Sequence, residues 1–108
     1  MSVNSCLIIL TEVRDIKLKR HVATGLSQKD SISGKSLIAV FGSNGFIMCG
    51  LLDMNAADKL GMVAAKVSGV NSIDELLEKK VVAITNNAEK LGVSLGISGL
   101  EALEIMHK

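Results

Sequence analysis

The fold of this 108-residue chain is decided by the stretch Leu37-Ile38-Ala39-Val40-Phe41-Gly42-Ser43-Asn44-Gly45-Phe46-Ile47-Met48-Cys49-Gly50-Leu51-Leu52. Its two halves, residues 37–41 and 46–52, are apolar at odd and even positions alike, which is typical of strands buried on both faces. The pair Asn44-Gly45 between them readily takes positive φ, the backbone geometry that a tight hairpin turn needs. The stretch therefore predicts two buried antiparallel strands at the centre of a sheet.

Two more strands are predicted before this hairpin. Residues 6–13 form an apolar run. In residues 16–26 apolar and polar side chains alternate with one exception, which predicts a single strand with Ile16, Val22 and Leu26 on one side and Lys17 and His21 on the other. The polar residues 28–36 that follow predict a loop.

The second half of the chain carries mainly helix signals. Residues 62–67 are apolar and partly β-branched, so they predict another strand. Helices are predicted for residues 55–60, 72–78, 81–91 and the segment after Ser98, and two of them begin with a capping box, Ser72 with Glu75 and Ser98 with Glu101. Gly92 is placed for a left-handed helix end. The predicted fold class is α+β (mixed α/β), in which N-terminal strands and the central antiparallel hairpin form a mixed sheet with three to four short helices packed on it.

Length and composition restrict the class of protein. A chain of 108 residues fits one domain, residues 1–108, with an N-terminal β region at 1–36 and a core at 37–108. The net charge of +1 and the absence of Trp and Tyr argue against nucleic-acid binding, which needs a basic face or aromatic stacking. The basic residues between Arg14 and His21 are interpreted as the wet face of a strand, and nucleic-acid binding through them is the least favoured hypothesis.

The expected location is the cytoplasm. The apolar runs are too short to cross a bilayer, and the first residues lack the basic segment of a signal peptide. Cys6 and Cys49 show no CxxC or zinc-ligand spacing with the two histidines, so we expect no metal site. Such sparse use of cysteine is typical of a reducing compartment.

Two glycine motifs are interpreted as structural. Gly34-Lys35-Ser36 resembles the end of a phosphate-binding loop, but the position five residues earlier is Lys29 instead of Gly, and a strand follows where a helix is required. We therefore expect a turn there. The later group Gly92, Gly96 and Gly99 is interpreted as caps and close packing, although free amides at a helix start are also able to receive a small anion.

The candidate site lies where the second strand of the hairpin ends. Cys49 and Asp53 stand four residues apart near this strand–helix junction, where polar groups often surface beside a cleft. Cys49 is interpreted either as a nucleophile or as a small buried apolar residue. Asp53 is interpreted either as a group that orients a partner, binds a cation or acts as a base, or as a helix cap. The structural alternative is favoured for both. The proposed ligand-binding set is Asn44, Gly45, Cys49, Gly50 and Asp53.

The histidines give little support to a Cys–His enzyme. His107 is the penultimate residue and is expected to fray. His21 falls on the charged row of its strand, where an exposed position is the simplest expectation.

Three spaced motifs carry a resemblance to a known family. They are Gly45-Phe46-Ile47-Met48-Cys49-Gly50-Leu51-Leu52-Asp53, then Val67-Ser68-Gly69-Val70-Asn71-Ser72-Ile73-Asp74-Glu75-Leu76-Leu77, and an ending with Ala88-Glu89-Lys90-Leu91-Gly92-Val93, Gly96-Ile97-Ser98-Gly99 and Glu101-Ala102-Leu103. They are similar to motifs of the domain of unknown function 1805 family, small bacterial and archaeal proteins that include the YunC-like group. Ile97 stands where the family pattern has Met.

The resemblance implies a fold and an assembly more than an activity. It implies a mixed α/β domain whose N-terminal β region joins subunits into dimers or tetramers, and it implies no substrate, cofactor or catalytic residue. Our first hypothesis is thus a cytoplasmic homo-oligomer that binds a small ligand or a protein partner. The alternative is an enzyme whose site is centred on Cys49 and Asp53, at the strand–helix junction or at a subunit interface, with help from Asn44 or from His21 of a second subunit.

Overall fold

A single mixed sheet organises the molecule. The computed structural model describes residues 11–107. The strands are β1 Thr11–Lys17, β2 Val22–Lys29, β3 Ser36–Phe41, β4 Phe46–Met48, β5 Ala64–Lys66 and β6 Ala83–Ile84. The helices are α1 Met54–Lys59, α2 Ile73–Glu78, α3 Asn86–Leu91 and α4 Gly99–Ile105. The six strands lie in the order β1-β2-β3-β4-β5-β6, and all neighbours are antiparallel except the parallel pair β4–β5. The predicted α+β class is confirmed.

The predicted central hairpin is confirmed, but the structure requires glycine at position 45 for a different reason than the one predicted. β3 and β4 pair antiparallel, and the Gly42 amide donates to the Gly45 carbonyl at 2.8 Å. Gly45 is not among the glycines with positive φ. A Cβ atom there would instead lie 2.7 Å from the carbonyl oxygen of Val63, so close backbone approach requires glycine. β4 also ends earlier than predicted, because the chain turns after Met48 with the Leu52 amide donating to the Cys49 carbonyl.

The single strand predicted for residues 16–26 is wrong. The chain reverses between β1 and β2, and the Leu18 amide donates to the His21 carbonyl at 2.8 Å across the turn. Because the apparent alternation crosses this turn, the row assigned to one side changes face: Ile16 pairs with Ala23 on the buried side, whereas Val22 is 56% exposed. The strand predicted for residues 6–13 has its first part outside the described residues, and its last part is the start of β1.

The basic cluster at residues 14–21 does not occupy one strand face, contrary to prediction. Arg14 lies on the side of β1 that faces α2 and donates to the Asp74 carboxylate at 2.8 Å. Lys17 is on the opposite side of β1, and Lys19, Arg20 and His21 belong to the turn. Alternation along β1 separates Arg14 from Lys17, and the reversal of the chain places the other three in the turn, so the cluster is divided among three places.

The helix predicted for residues 81–91 is only partly correct. Ala83 and Ile84 form β6 against β5, and the helix begins at Asn86. The buried Thr85 hydroxyl accepts from the Ala88 amide at 3.2 Å and donates to the Met62 carbonyl at 2.8 Å, so it caps α3 and ties it to the chain before β5.

The ends of the other helices follow local sequence rules. Gly92 ends α3 in the left-handed conformation with φ of 107°, as predicted. Ser98 forms the predicted capping box with Glu101. Ser72 caps α2 as predicted, but the Glu75 carboxylate accepts from the Asn71 amide, one residue before the expected partner. None of the helices described for residues 11–107 is long and apolar enough to cross a membrane.

The core lies between the sheet and the pair α2–α4, which pack against each other and against the central strands. Fully buried members include Ile38, Val40, Ile47, Leu76, Leu103 and Met106. Gly99 at the start of α4 touches α2 so closely that a Cβ atom would overlap the Leu76 carbonyl oxygen. Aliphatic residues and close helix contacts thus replace the aromatic core that this sequence cannot build.

Candidate functional site

Cys49 occupies a structural position at the end of β4. Its side chain is 4% exposed, and its thiol is free of any disulfide. The sulfur accepts a hydrogen bond from the Ile38 amide at 3.4 Å, and the carbonyl oxygen of Ser36 lies 4.0 Å away. A thiol buried among aliphatic side chains behaves as a small apolar residue, so this geometry supports packing rather than nucleophilic attack.

Asp53 is the N-cap of α1. Its carboxylate accepts from the amides of Asn55 at 3.0 Å and Ala56 at 3.2 Å. These bonds satisfy amide groups that the first turn of a helix leaves free. The structural alternative for Asp53 is therefore the one observed, and the helix predicted to begin at Asn55 begins one residue earlier.

A shallow cleft of about 330 Å³ opens beside Cys49. It is lined by Lys35, Ser36, Cys49, Gly50, Leu51, Gly69, Val70 and Asn71. Asp53 does not line it, since its carboxylate is turned to the α1 amides. Two members of the predicted ligand set, Cys49 and Gly50, thus share a cleft that the sequence analysis had not connected to residues 69–71.

Asn44 and Gly45 lie at the other end of the hairpin. The Asn44 amide donates to the Met106 carbonyl at 3.0 Å, which ties the hairpin turn to the end of α4. Gly45 packs against Val63 and Met106. The five predicted ligand-binding residues are therefore divided among three places, and their role in binding stays a prediction.

The turn predicted at Gly34-Lys35-Ser36 is present. Gly34 has φ of 75°, and the Asp30 carboxylate accepts from the Ser33 amide at 3.1 Å. Hydrogen bonds from the side chain and then the backbone of Ser33 lower the pKa of Asp30. The carboxylate thus stabilises the loop to which it belongs. Strand β3 follows at Ser36 where a phosphate-binding loop would lead into a helix, as predicted.

His107 and His21 meet, which the sequence analysis did not foresee. Their rings stack with centroids 4.9 Å apart and planes inclined by 16°. His107 is 8% exposed instead of frayed, because its ring packs on Gly42 and Leu103 lies beside the same glycine. The stack joins the β1–β2 turn to the segment after α4.

The polar atoms of the His107 ring have unequal surroundings. Nδ1 lies 3.2 Å from the Ser43 hydroxyl, whereas Nε2 is buried and has no hydrogen-bond partner among the described residues. Burial, and to a lesser degree the nearby His21, lowers the pKa of His107 below its ordinary value of 6.5. Burial therefore disfavours the charged form of this ring. No pattern in the sequence pairs these residues, since they are 86 positions apart and only the sheet and α4 bring them together.

A second cleft, of about 320 Å³, opens at this stack. It is lined by Leu18, Lys19, Arg20, His21, Glu104 and His107, and we call it the basic cleft. Within residues 11–107, no group of three or more His, Cys, Asp or Glu side chains is arranged to hold a metal ion.

Comparison with known proteins places the chain in a family. The model of the family described as Domain of unknown function (DUF1805) matches residues 48–106. The chain belongs to this family. It is 43% identical over 77 residues to "Uncharacterized protein YunC" of Bacillus subtilis (strain 168), a match that covers 68% of this chain and 76% of that protein.

The fold is shared with a solved structure. The crystal structure of a protein of unknown function, TA1206 from Thermoplasma acidophilum, is similar with a TM-score of 0.84 and 26% identity, over 95% of this chain and 99% of that one. The names of the family and of both proteins assign no reaction. His21 and His107 lie outside the segment that the family model matches.

Proposed function

We propose that the chain is a cytoplasmic binding domain that works as a homo-oligomer, assembled through one face of β1–β3. The observation that carries this proposal is a row of exposed apolar side chains on neighbouring strands. Val13, Val22 and Phe41 are 67%, 56% and 44% exposed. Exposed side chains of this kind on adjacent strands are typical of association surfaces, whereas scattered ones are not informative.

The strand register brings these side chains to one side of the sheet. Val13 is opposite Leu26, and Thr24 is opposite Phe41. Residues that pair across two strands lie on the same face, and Thr24 and Leu26 are two positions apart on β2. These four residues therefore belong to one surface, which we call the open face. Val22, two residues before Thr24, belongs to it as well.

The proposed occupant of the open face is a second copy of the chain. Asp15 and Lys17 stand on the same side as Val13, and opposite charges on one face allow a twofold contact in which each copy offers the acid to the base of the other. β1 is at the end of the sheet order and, among residues 11–107, pairs with β2 alone. A domain of 108 residues gains stability by burying such a surface.

Light scattering after size exclusion, or native mass spectrometry, tests the assembly. We expect the mass of a dimer or tetramer, and we expect Val13→Arg to weaken self-association at least about tenfold, because a charge would be buried without a partner. Leu95→Arg is the matched control, since Leu95 is 61% exposed and lies outside β1–β3. A monomeric wild-type protein at all concentrations, or equal effects of the two substitutions, would contradict the proposal.

The cytoplasmic location is supported by the scarcity of cysteine and by the free thiol of Cys49 in the core. The enzyme hypothesis gains no comparable support. Its two central residues are occupied in packing and in helix capping, and His21 lies against His107 of the same chain.

A further inference from the structure

The basic cleft combines charge with a buried polar group that lacks a partner. Lys19 and Arg20 are exposed in the turn that forms one wall, and neither makes an ion pair within residues 11–107. Glu104 is the acidic residue of the lining, and it too forms no ion pair with them. The chain as a whole carries a net charge of +1. Lys19 and Arg20 beside the single acid Glu104 therefore form a local excess of positive charge.

The histidine stack adds a group that needs a hydrogen-bond partner. A buried ring nitrogen without a partner costs free energy, because water no longer solvates it. His107 is only 8% exposed, and its Nε2 atom is buried with no hydrogen-bond partner among the described residues. Burial, and to a lesser degree the nearby His21, lowers the pKa of His107, and a bound anion would oppose this effect.

We propose that the basic cleft is a binding site for a small oxyanion, specifically the phosphate group of a small molecule. Arg20 and Lys19 contact the anion by charge-assisted hydrogen bonds, and the exposed imidazole of His21 offers a further N–H donor. The charge of the anion also stabilises the imidazolium form of His107, which stacks on His21. The cleft volume of about 320 Å³ admits a phosphate group with a small apolar portion against Leu18. This site is separate from the open face of β1–β3 and does not depend on self-association.

Anion binding at this site is coupled to the protonation of His107. The charged groups around the two imidazoles are Lys19 and Arg20 on the turn and Glu104 on α4; the Ser43 hydroxyl lies against His107 from the hairpin. In the free protein burial lowers the pKa of His107. A bound dianion stabilises the charged imidazolium, so binding raises the pKa of His107.

Inorganic phosphate is the probe, and the imidazole carbon-bound protons of the two histidines are the reporters in a nuclear magnetic resonance titration at constant ionic strength. Since the chain holds two His residues, each signal can be assigned by substitution of the other. We expect saturable shifts of both signals, and for His107 a higher titration midpoint than in sodium chloride. Acetate, a monoanion, is the comparison that separates a phosphate preference from general attraction of anions.

Two substitutions in the basic cleft should change the affinity for phosphate in opposite directions. Arg20→Gln weakens phosphate binding about tenfold, the effect of one charge-assisted hydrogen bond. Glu104→Gln strengthens it about threefold, because a repelling charge is removed. Lys35→Gln, at the separate cleft beside Cys49, leaves affinity unchanged. Amide spectra of all variants establish that the fold is retained.

Several outcomes would overturn the proposal. Shifts that grow linearly with phosphate and match those in chloride indicate screening without a site. Equal weakening by Arg20→Gln and Lys35→Gln indicates attraction by the whole protein. Equal affinity for acetate contradicts the assignment to phosphate. Because the titration is read on the monomer as well as on an oligomer, its failure leaves the assembly through the open face unaffected.

Discussion

Strand β2 has its small residues on the covered face of the sheet and a larger one exposed on the other face. On the side toward α2, β2 presents Ala23, which is 1% exposed, and the buried Gly25. On the other side the same strand presents Val22, which is 56% exposed. The larger and more hydrophobic residue is thus outside. Hydrophobicity alone would choose the wrong face of this strand.

The reason is the distance between helix and sheet. A Cβ atom on Gly25 would lie 3.2 Å from Cδ1 of Ile73, so α2 rests directly on the strand and the bulk of the contact comes from the helix. Small residues in the strand allow this approach, and the space is filled by the longer Ile73 side chain. The comparison teaches that a covered face is recognised by complementary sizes across the contact.

The largest expected effect is on the covered face. Ile47→Ala removes a side chain that is 0% exposed and should lower the free energy of unfolding by about 2–5 kcal/mol, because the cavity cannot collapse fully. Val13→Ala, on the open face, should change the unfolding free energy of the monomer by less than about 0.5 kcal/mol. Urea denaturation at several protein concentrations measures both. Comparable losses in dilute solution would show that the open face belongs to the core of each subunit.

A smaller effect sharpens the comparison at close backbone contacts. Gly45→Ala places a Cβ atom 2.7 Å from the Val63 carbonyl oxygen and should cost about 1–3 kcal/mol. Gly50→Ala is the matched control, because its nearest neighbour would be the Ser68 hydroxyl at 3.7 Å and its φ is not positive. Thermal unfolding of the two variants compares them. A tolerated Gly45→Ala would mean that the hairpin is able to move away from Val63.

The smallest expected effect concerns an exposed residue with a defined structural role. Asp53→Ala should lower the unfolding free energy by about 1 kcal/mol, since two amides of α1 lose their acceptor. Asp53→Asn should retain most of this stability, because asparagine caps helices equally well. Chemical denaturation distinguishes the variants. If Asn is as harmful as Ala, the negative charge of Asp53 matters in a way that capping does not explain.

Local signals in the sequence were reliable wherever the structure is stabilised by near neighbours. The Ser98–Glu101 capping box and the left-handed Gly92 depend on contacts within a few residues. The Asn44-Gly45 hairpin is also present, but its glycine is required by the distant Val63. The strand predicted across residues 16–26 failed for the complementary reason. Its alternation fits one strand or two, and the two strands observed are defined by their antiparallel pairing across the turn at residues 18–21.

The candidate site was predictable only in its parts. Capping by Asp53 and burial of Cys49 were among the stated alternatives, because each follows from the residue type next to a helix or in an apolar strand. The basic cleft was not foreseen. Lys19, Arg20 and His21 are adjacent in sequence, but His107 reaches them only through the packing of α4.

The sequence by itself determined the α+β class, the central hairpin, the helix caps and the membership of a family, because these depend on local propensity or on motifs read in order. The tertiary structure alone decided which face of β1–β3 is covered, and it alone brought His21 against His107. The physical reason is that both features depend on contacts between distant segments, whose strength is set by complementary shape and charge and leaves no period or spacing along the chain.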